Sequence, residues 1–112
     1  MSQITTHILD TSIGKPAEGV SIILEHFLKG RWEKIANGRT NIDGRISDLL
    51  PDNKKVDTGM YRLIFDTYAY FNSQMKKTFY PNVTIEFEIT DSTHYHVPLL
   101  LNPFGYSTYR GS

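Results

Sequence analysis

The most constraining feature of this sequence is the regular alternation of apolar and polar side chains over residues 83–90. Successive side chains of a β-strand point to opposite faces of a sheet, so the alternation predicts a strand with one buried face and one solvated face. The residues predicted to face inward are Val83, Ile85, Phe87 and Ile89. Such a strand needs a second layer of structure to cover its apolar side.

Other short extended segments follow one another along the chain, separated by Gly, Asn and Asp. Strands are predicted at residues 4–10, 20–28, 31–36, 59–66 and 94–101, with a weak strand at 46–50 and a final extended segment from residue 106. Asn37-Gly38 should end the third of these strands. Seven or eight short strands at close spacing favour an all-β fold, an antiparallel β-sandwich.

One helix is predicted at residues 67–75, directly after a strand. Asp66 or Thr67 can cap its first turn, because their side chains accept hydrogen bonds from free backbone N–H groups. Tyr68, Phe71 and Met75 recur at three- and four-residue spacing and should form its buried side. The prediction is therefore a sandwich with one short amphipathic helix.

The size and charge of the chain limit the classes of function. With 112 residues, 39% of them apolar, and no visible linker, residues 1–112 should form one domain. Twelve basic residues balance twelve acidic ones, which argues against nucleic-acid and membrane-surface partners and favours a small ligand or a protein partner. There is no cysteine, so disulfides and thiolate chemistry are excluded. The chain shows neither a signal peptide nor an apolar span of ~20 residues, so a cytoplasmic location is expected.

The strand at residues 94–101 combines a reactive face with an apolar one. His94 and His96 should share one face, opposite Tyr95, Val97, Leu99 and Leu101. Pro98 cannot donate a backbone hydrogen bond, so the strand is predicted to lie at a sheet edge or to be bulged there. An apolar edge of this kind would invite a partner subunit.

The C-terminal tail, Tyr109-Arg110-Gly111-Ser112, has an unusual composition for a chain end. A disordered end is commonly polar and of low complexity, whereas this one carries a tyrosine, an arginine and a free carboxylate directly after a predicted strand. We interpret it as ordered and functional. The alternative is a tyrosine-rich last strand followed by a frayed tail.

The four histidines differ in what they can do. His26 ends an apolar strand face and is predicted to be a structural or a surface histidine. The spacing of His94 and His96 occurs in acid–base sites and in metal sites, but a metal would need His7 as a third ligand, and no carboxylate stands at ligand spacing. We therefore expect no metal.

Three segments together resemble the transthyretin-related 5-hydroxyisourate hydrolases. They are Thr5-Thr6-His7-Ile8-Leu9-Asp10, the loop Thr40-Asn41-Ile42-Asp43-Gly44-Arg45, and residues 94–112, which end in Tyr109-Arg110-Gly111-Ser112. The resemblance implies a transthyretin-like (prealbumin-like) antiparallel β-sandwich of two four-stranded sheets with one short helix. It also implies a homotetramer, a dimer of dimers with active sites where dimers meet, and no cofactor.

The activity implied by the resemblance is hydrolysis of 5-hydroxyisourate to 2-oxo-4-hydroxy-4-carboxy-5-ureidoimidazoline, a step of urate breakdown. The catalytic residues it implies are His7, Arg45, His96 and Ser112, and the same His and Arg residues bind substrate together with Tyr109, Arg110 and Gly111. The alternative is a non-catalytic small-ligand-binding protein, because carriers share this fold.

The residue types suit hydrolysis. A neutral imidazole with a pKa of about 6.5 can take a proton from water, a role open to His7 or His96. Arg45, held by the tight turn at Asp43-Gly44, can bind the substrate's carbonyl oxygens and stabilise developing charge. Ser112 offers a hydroxyl or its terminal carboxylate to orient water or a histidine.

Overall fold

The computed structural model describes all 112 residues, which form nine strands and one helix. In chain order these are β1 (Ile4–Asp10), β2 (Lys15–Pro16), β3 (Ser21–Leu28), β4 (Arg31–Arg39), β5 (Arg45–Ile46), β6 (Gly59–Phe65), α1 (Thr67–Asn72), β7 (Val83–Ile89), β8 (Tyr95–Asn102) and β9 (Gly105–Thr108). The predicted all-β sandwich is confirmed. Its single helix, of six residues, is too short to cross a membrane.

The strands form two sheets. The first sheet has the order β2-β1-β8-β9, with β5 also paired to β1, and the second has the order β4-β3-β6-β7. The second sheet contains the four strands expected. The first contains five, because the two-residue strands β2 and β5 pair with different parts of β1 while β8 pairs with its whole length.

The pairing of β1 with β8 is parallel, the one departure from the predicted antiparallel arrangement. It runs from Ile4 opposite Tyr95 to Asp10 opposite Leu101. Side-chain alternation indicates a strand but not its direction, and no hairpin fixes the direction of two strands at opposite ends of the chain. The register sets Thr5 beside His96 and His7 beside Pro98.

The core lies between the facing sheets and follows the predicted alternation. In β8, Tyr95, Val97, Leu99 and Leu101 are buried, as expected. In β7, Val83, Ile85 and Ile89 are buried, whereas Phe87 only packs against the rim of the core. Each fully buried aliphatic side chain contributes about 1.5–3 kcal/mol to the stability of the fold, so β7 and β8 are held firmly in the sandwich.

The helix is shorter than predicted, and two of the three residues predicted to form its buried side are exposed. The Asp66 side chain caps it as expected, accepting a hydrogen bond from the Ala69 N–H at 3.1 Å. The chain leaves the helix after Asn72, and Met75 has a positive φ of 59°. Phe71 is buried, but Met75 is exposed because it lies past the last helical turn, and Tyr68 is exposed because the helix buries the side that carries Thr67 and Phe71.

Two strand boundaries also differ from the prediction. β4 continues through Asn37 and Gly38, which pair with Ile23 and Ile22 of β3. A Cβ at Gly38 would lie 3.3 Å from the Ile46 side chain, so this glycine allows close packing and does not mark a turn. The weak strand predicted at 46–50 is limited to Arg45–Ile46.

The prediction that Pro98 marks an edge or bulged strand is wrong. β8 lies inside the first sheet, between β1 and β9. The ladder with β9 ends at Leu99 opposite Thr108, and the Pro98 carbonyl accepts a hydrogen bond from Thr108 Oγ1 at 2.7 Å. Pro98 therefore stands just past the end of that ladder, where no strand partner requires its missing N–H.

Candidate active site

A cleft of about 210 Å³ opens where β1, β5, β8 and the chain end meet. Its walls include Thr5, Arg45, Ser47, His94, His96 and Ser112. Two imidazoles, a guanidinium and the C-terminal residue thus face one small space. Of the residues predicted to be catalytic, the cleft brings Arg45, His96 and Ser112 together.

His96 of β8 and His94, which immediately precedes that strand, are joined through a hydroxyl group of β1. Thr5 Oγ1 lies 2.7 Å from His96 Nδ1 and 2.8 Å from His94 Nε2. The two rings share one face of the strand, as predicted, with centroids 6.2 Å apart. The bridging Thr5 was not predicted as a site residue, because only the parallel register of β1 and β8 brings it to the histidines.

Arg45 projects from a loop whose backbone is fixed by hydrogen bonds. Asn41 Oδ1 accepts from the Asp43 N–H at 2.9 Å and from the Arg45 N–H at 3.0 Å. Gly44 has φ +73°, and a Cβ there would lie 2.5 Å from the Ile8 carbonyl oxygen, so no other residue fits without a shift. The expectation that this turn would hold Arg45 at a fixed point is confirmed.

His7 lies beside the cleft and not in its wall. It is opposite Arg45 in the β1–β5 pairing and half-buried. Burial, followed by the positive charge of Arg45, lowers the pKa of His7 below its usual 6.5. His7 is therefore neutral at neutral pH and close enough to Arg45 to respond to its charge.

The pKa of His96 is also lowered, and more neighbouring groups contribute to this shift than to that of His7. Burial is the main cause, and the charges of His94, Arg45 and His7 add to it. Each of these groups disfavours a second positive charge nearby. At neutral pH His96 is thus an unprotonated imidazole that can accept a proton.

The tail is ordered and returns to β8. The Gly111 N–H donates to the His96 carbonyl at 2.8 Å, which leaves Ser112 in the cleft. A Cβ at Gly111 would lie only 2.6 Å from His96 Cδ2 and 3.1 Å from Pro98 Cγ. Gly111 does not have a positive φ, so close approach to the His96 ring, and not a sharp turn, explains the glycine.

Tyr109 and Arg110, predicted to bind substrate, lie on the other side of His96. Both line a neighbouring groove of about 250 Å³ between β7 and the start of β8. The Arg110 guanidinium sits 4.3 Å from the centroid of the Tyr95 ring. Within one chain, the tail therefore brings Ser112 to the cleft and Gly111 against His96, while Tyr109 and Arg110 line the neighbouring groove.

His26 has the structural role predicted for it. It is buried in the second sheet, and its ring stacks on Tyr61 with centroids 4.1 Å apart. It does not line the cleft, and His96, which does, belongs to the first sheet.

The model of the HIUase/Transthyretin family matches residues 4–111, nearly the whole chain. The chain is a member of the HIUase/Transthyretin family. It is 48% identical to a protein of Salmonella typhimurium named 5-hydroxyisourate hydrolase, over 97% of this chain and 80% of that protein. This family membership agrees with the resemblance inferred from the three sequence segments.

Solved structures from two branches of the HIUase/Transthyretin family share the fold. The 5-hydroxyisourate hydrolase of Klebsiella pneumoniae superposes with a TM-score of 0.86 and 40% identity, over 97% of this chain and 98% of that one. Sea bream transthyretin in complex with thyroxine gives a TM-score of 0.91 and 32% identity, over 98% of this chain and 95% of that one. Backbone similarity therefore does not separate the branches, whereas sequence identity is higher to the hydrolases.

Proposed function

We propose that this protein is an enzyme that hydrolyses 5-hydroxyisourate to 2-oxo-4-hydroxy-4-carboxy-5-ureidoimidazoline in urate breakdown. The observation that carries the proposal is the convergence of His96, Arg45 and Ser112 on one cleft in a chain 48% identical to a protein named for this activity. The cleft is small, and seven of its nine lining residues are polar or charged, which suits a substrate with several carbonyl oxygens.

The proposed reaction uses His96 as the general base. His96 lines the cleft and His7 does not, so His96 is the better situated of the two to deprotonate water. The water oxygen bonds to an amide-like ring carbon, the ring C–N bond breaks, and the proton held by His96 passes to the leaving nitrogen. His7 assists from beside Arg45, and the Ser112 hydroxyl or carboxylate orients the water.

Arg45 binds the substrate oxygens and stabilises the charge that develops on the attacked carbonyl. Arg45→Lys is expected to lower kcat/KM by about 10- to 100-fold, because lysine keeps the charge but loses the planar fork of donors. Steady-state kinetics would measure the loss. Arg39→Lys is the matched control, since Arg39 is an exposed arginine whose guanidinium donates to the Gly19 carbonyl. This control should leave kcat/KM unchanged. Normal activity of Arg45→Lys would show that charge alone suffices.

The pH dependence of kcat/KM should reflect the lowered pKa of the cleft histidine. Because burial and neighbouring charges disfavour the protonated form of His96, the active neutral form persists as the pH falls through 6.5. We expect the acid limb of the kcat/KM profile to have its midpoint below 6.5. A midpoint above 6.5 would contradict the assignment of His96 as base.

The enzyme is predicted to work without a metal. No three His, Asp or Glu side chains converge in a ligand arrangement, and the histidines are assigned to proton transfer. Dialysis against a chelator is expected to leave turnover unchanged in a continuous absorbance assay. Loss of activity that added zinc restores would instead favour a metal site that includes His7, His94 and His96.

We further propose that the protein assembles as a homotetramer, a dimer of dimers. The support is the exposure of large apolar side chains along the β8–β9 hairpin, where Phe104 is 69% and Tyr106 is 42% exposed, beside Phe79. Analytical ultracentrifugation should give the mass of four 12.9 kDa chains. The cytoplasmic location stays a prediction.

The decisive test of the proposed function is an assay with freshly generated 5-hydroxyisourate. Its absorbance should decay faster with the protein than in buffer, in proportion to protein concentration. The competing function is small-ligand carriage, for which sea bream transthyretin with thyroxine is the precedent in this family. Tight thyroxine binding without acceleration of the decay would favour the carrier.

A further inference from the structure

The Thr5 hydroxyl contacts two imidazoles but has only one proton to donate. Its oxygen lies 2.7 Å from His96 Nδ1 and 2.8 Å from His94 Nε2, both within hydrogen-bond distance. A hydroxyl that bonds to two ring nitrogens must donate to one and accept from the other. The proton positions on His94 and His96 are therefore linked through Thr5.

We propose that Thr5 is a positioning residue that sets the tautomer of His96 and connects it to His94 in a proton relay, an assignment that rests on the proposed function. In the resting enzyme Thr5 Oγ1 accepts from His96 Nδ1–H and donates to His94 Nε2. This arrangement leaves His96 Nε2 unprotonated and free to act as the base.

The relay moves two protons and conserves both. When His96 Nε2 takes a proton from water, the Nδ1 proton passes to Thr5 Oγ1 and the Thr5 proton passes to His94 Nε2. The positive charge then resides on His94 while the tetrahedral intermediate exists. When His96 Nε2 gives its proton to the leaving nitrogen, the two relay protons return and the resting tautomers are restored.

The surroundings of the two histidines give the relay a direction. His96 is half-buried near Arg45 and His7, whereas His94 is exposed to solvent just before β8. A positive charge is less costly on an exposed imidazole than on one beside a guanidinium. Moving the charge to His94 thus lowers the energy of the intermediate without moving any heavy atom.

The fold holds the three groups in place. Thr5 is buried in β1, opposite His96 in a parallel ladder of seven residue pairs. On the other side of the ring, Gly111 approaches so closely that a Cβ would lie 2.6 Å from His96 Cδ2. The ring is therefore held between a hydroxyl group and a glycine backbone, and rotation would lose the Thr5 bond.

The kinetic test compares Thr5→Val with Thr5→Ser. Valine matches threonine in shape but has no hydroxyl, so it should lower kcat about 10-fold with little change in KM, and serine should restore most of the loss. In mixtures of H2O and D2O, kcat of the wild type should curve downward with deuterium fraction, as a two-proton relay requires, and that of Thr5→Val should be linear. Thr11→Val is the matched control, because Thr11, the residue after β1, also donates a hydrogen bond to β8, at the Leu101 carbonyl, without touching a histidine.

A second measurement does not depend on turnover. Nitrogen-15 NMR of the histidine rings should find the His96 proton on Nδ1 in the wild type and a mixture of tautomers in Thr5→Val. If the wild type shows this tautomer but fails to hydrolyse 5-hydroxyisourate, the proposed function is wrong and the positioning by Thr5 stands. An unchanged tautomer in Thr5→Val, or wild-type kcat in that variant, would overturn the proposal, and failure of serine to restore kcat would reduce Thr5 to a packing role.

Discussion

Removal of residues 109–112 is expected to abolish most of the hydrolysis of 5-hydroxyisourate with little change in melting temperature. The deleted residues contribute no side chain to the core, so the sandwich should persist. The cleft would lose Ser112 and the contact of Gly111 with the His96 ring. Extending the chain with a C-terminal tag should damage activity as well, because the added residues would have to leave a confined space.

The effect of the tail can be tested at a single atom with Gly111→Ala. The added Cβ would lie 2.6 Å from His96 Cδ2, a distance that real Cβ atoms essentially never show, so the ring and the tail must move apart and the working geometry of the site is lost. Displacement of a base by about 1 Å can cost about 100-fold in rate, and Gly111→Val should be at least as harmful. Stopped-flow or steady-state absorbance would measure the loss.

Gly105→Ala is the matched control for this substitution. Gly105 begins β9, has no positive φ, and its Cβ would meet the Asn102 side chain at an ordinary 3.7 Å. It should therefore leave both activity and melting temperature unchanged. Full activity of Gly111→Ala, or of the truncated chain, would show that the tail is not part of the site, which would then consist of His7, Arg45 and His96.

His96→Asn is expected to lower kcat by about 100-fold or more, the usual scale for the loss of an acid–base group. Asparagine keeps a polar side chain of moderate size but cannot take up a proton, so the fold should remain intact. His7→Asn should also lower turnover. Circular dichroism and melting curves would establish that each variant is folded before its kinetics are compared.

His26→Asn should show the opposite of His96→Asn, a loss of stability without a loss of activity. Its ring stacks on Tyr61 in the second sheet, so the substitution should reduce the free energy of unfolding by about 0.5–1.5 kcal/mol and leave kcat unaltered. The pair of variants separates a histidine that supports the fold from one that reacts. Near-normal kcat in His96→Asn would move the role of base to His7.

Much of the fold was predictable because local sequence patterns indicate the strands of this chain. β1 was predicted with the bounds it has, and the buried face of β8 was predicted residue by residue. Errors arose where tertiary packing overrode a local signal. Gly38 looked like a turn but lies inside β4, and Pro98 looked like an edge but lies where a ladder ends.

The site was predictable in part for a different reason. His96, Arg45 and Ser112 came from resemblance to a family, and the fold brings them to one cleft. Thr5 could not be found in the same way, since its role depends on the direction and register of pairing between two strands far apart in sequence. The separation of Tyr109 and Arg110 from Ser112 could not be predicted either, because it depends on how the tail passes His96.

The parallel pairing of β1 with β8 also determines at which stage of folding the active site can form. Thr5 and His96 are 91 residues apart, and residues 109–112, which complete the cleft, follow β9 in the chain. Contacts of such long range form slowly, because the intervening chain must be ordered first. A nascent chain that ends before β8 has a first strand without its main neighbour and no site at all. Activity should therefore appear only after β8 has paired with β1, so that recovery of activity upon refolding reports the closing of the first sheet.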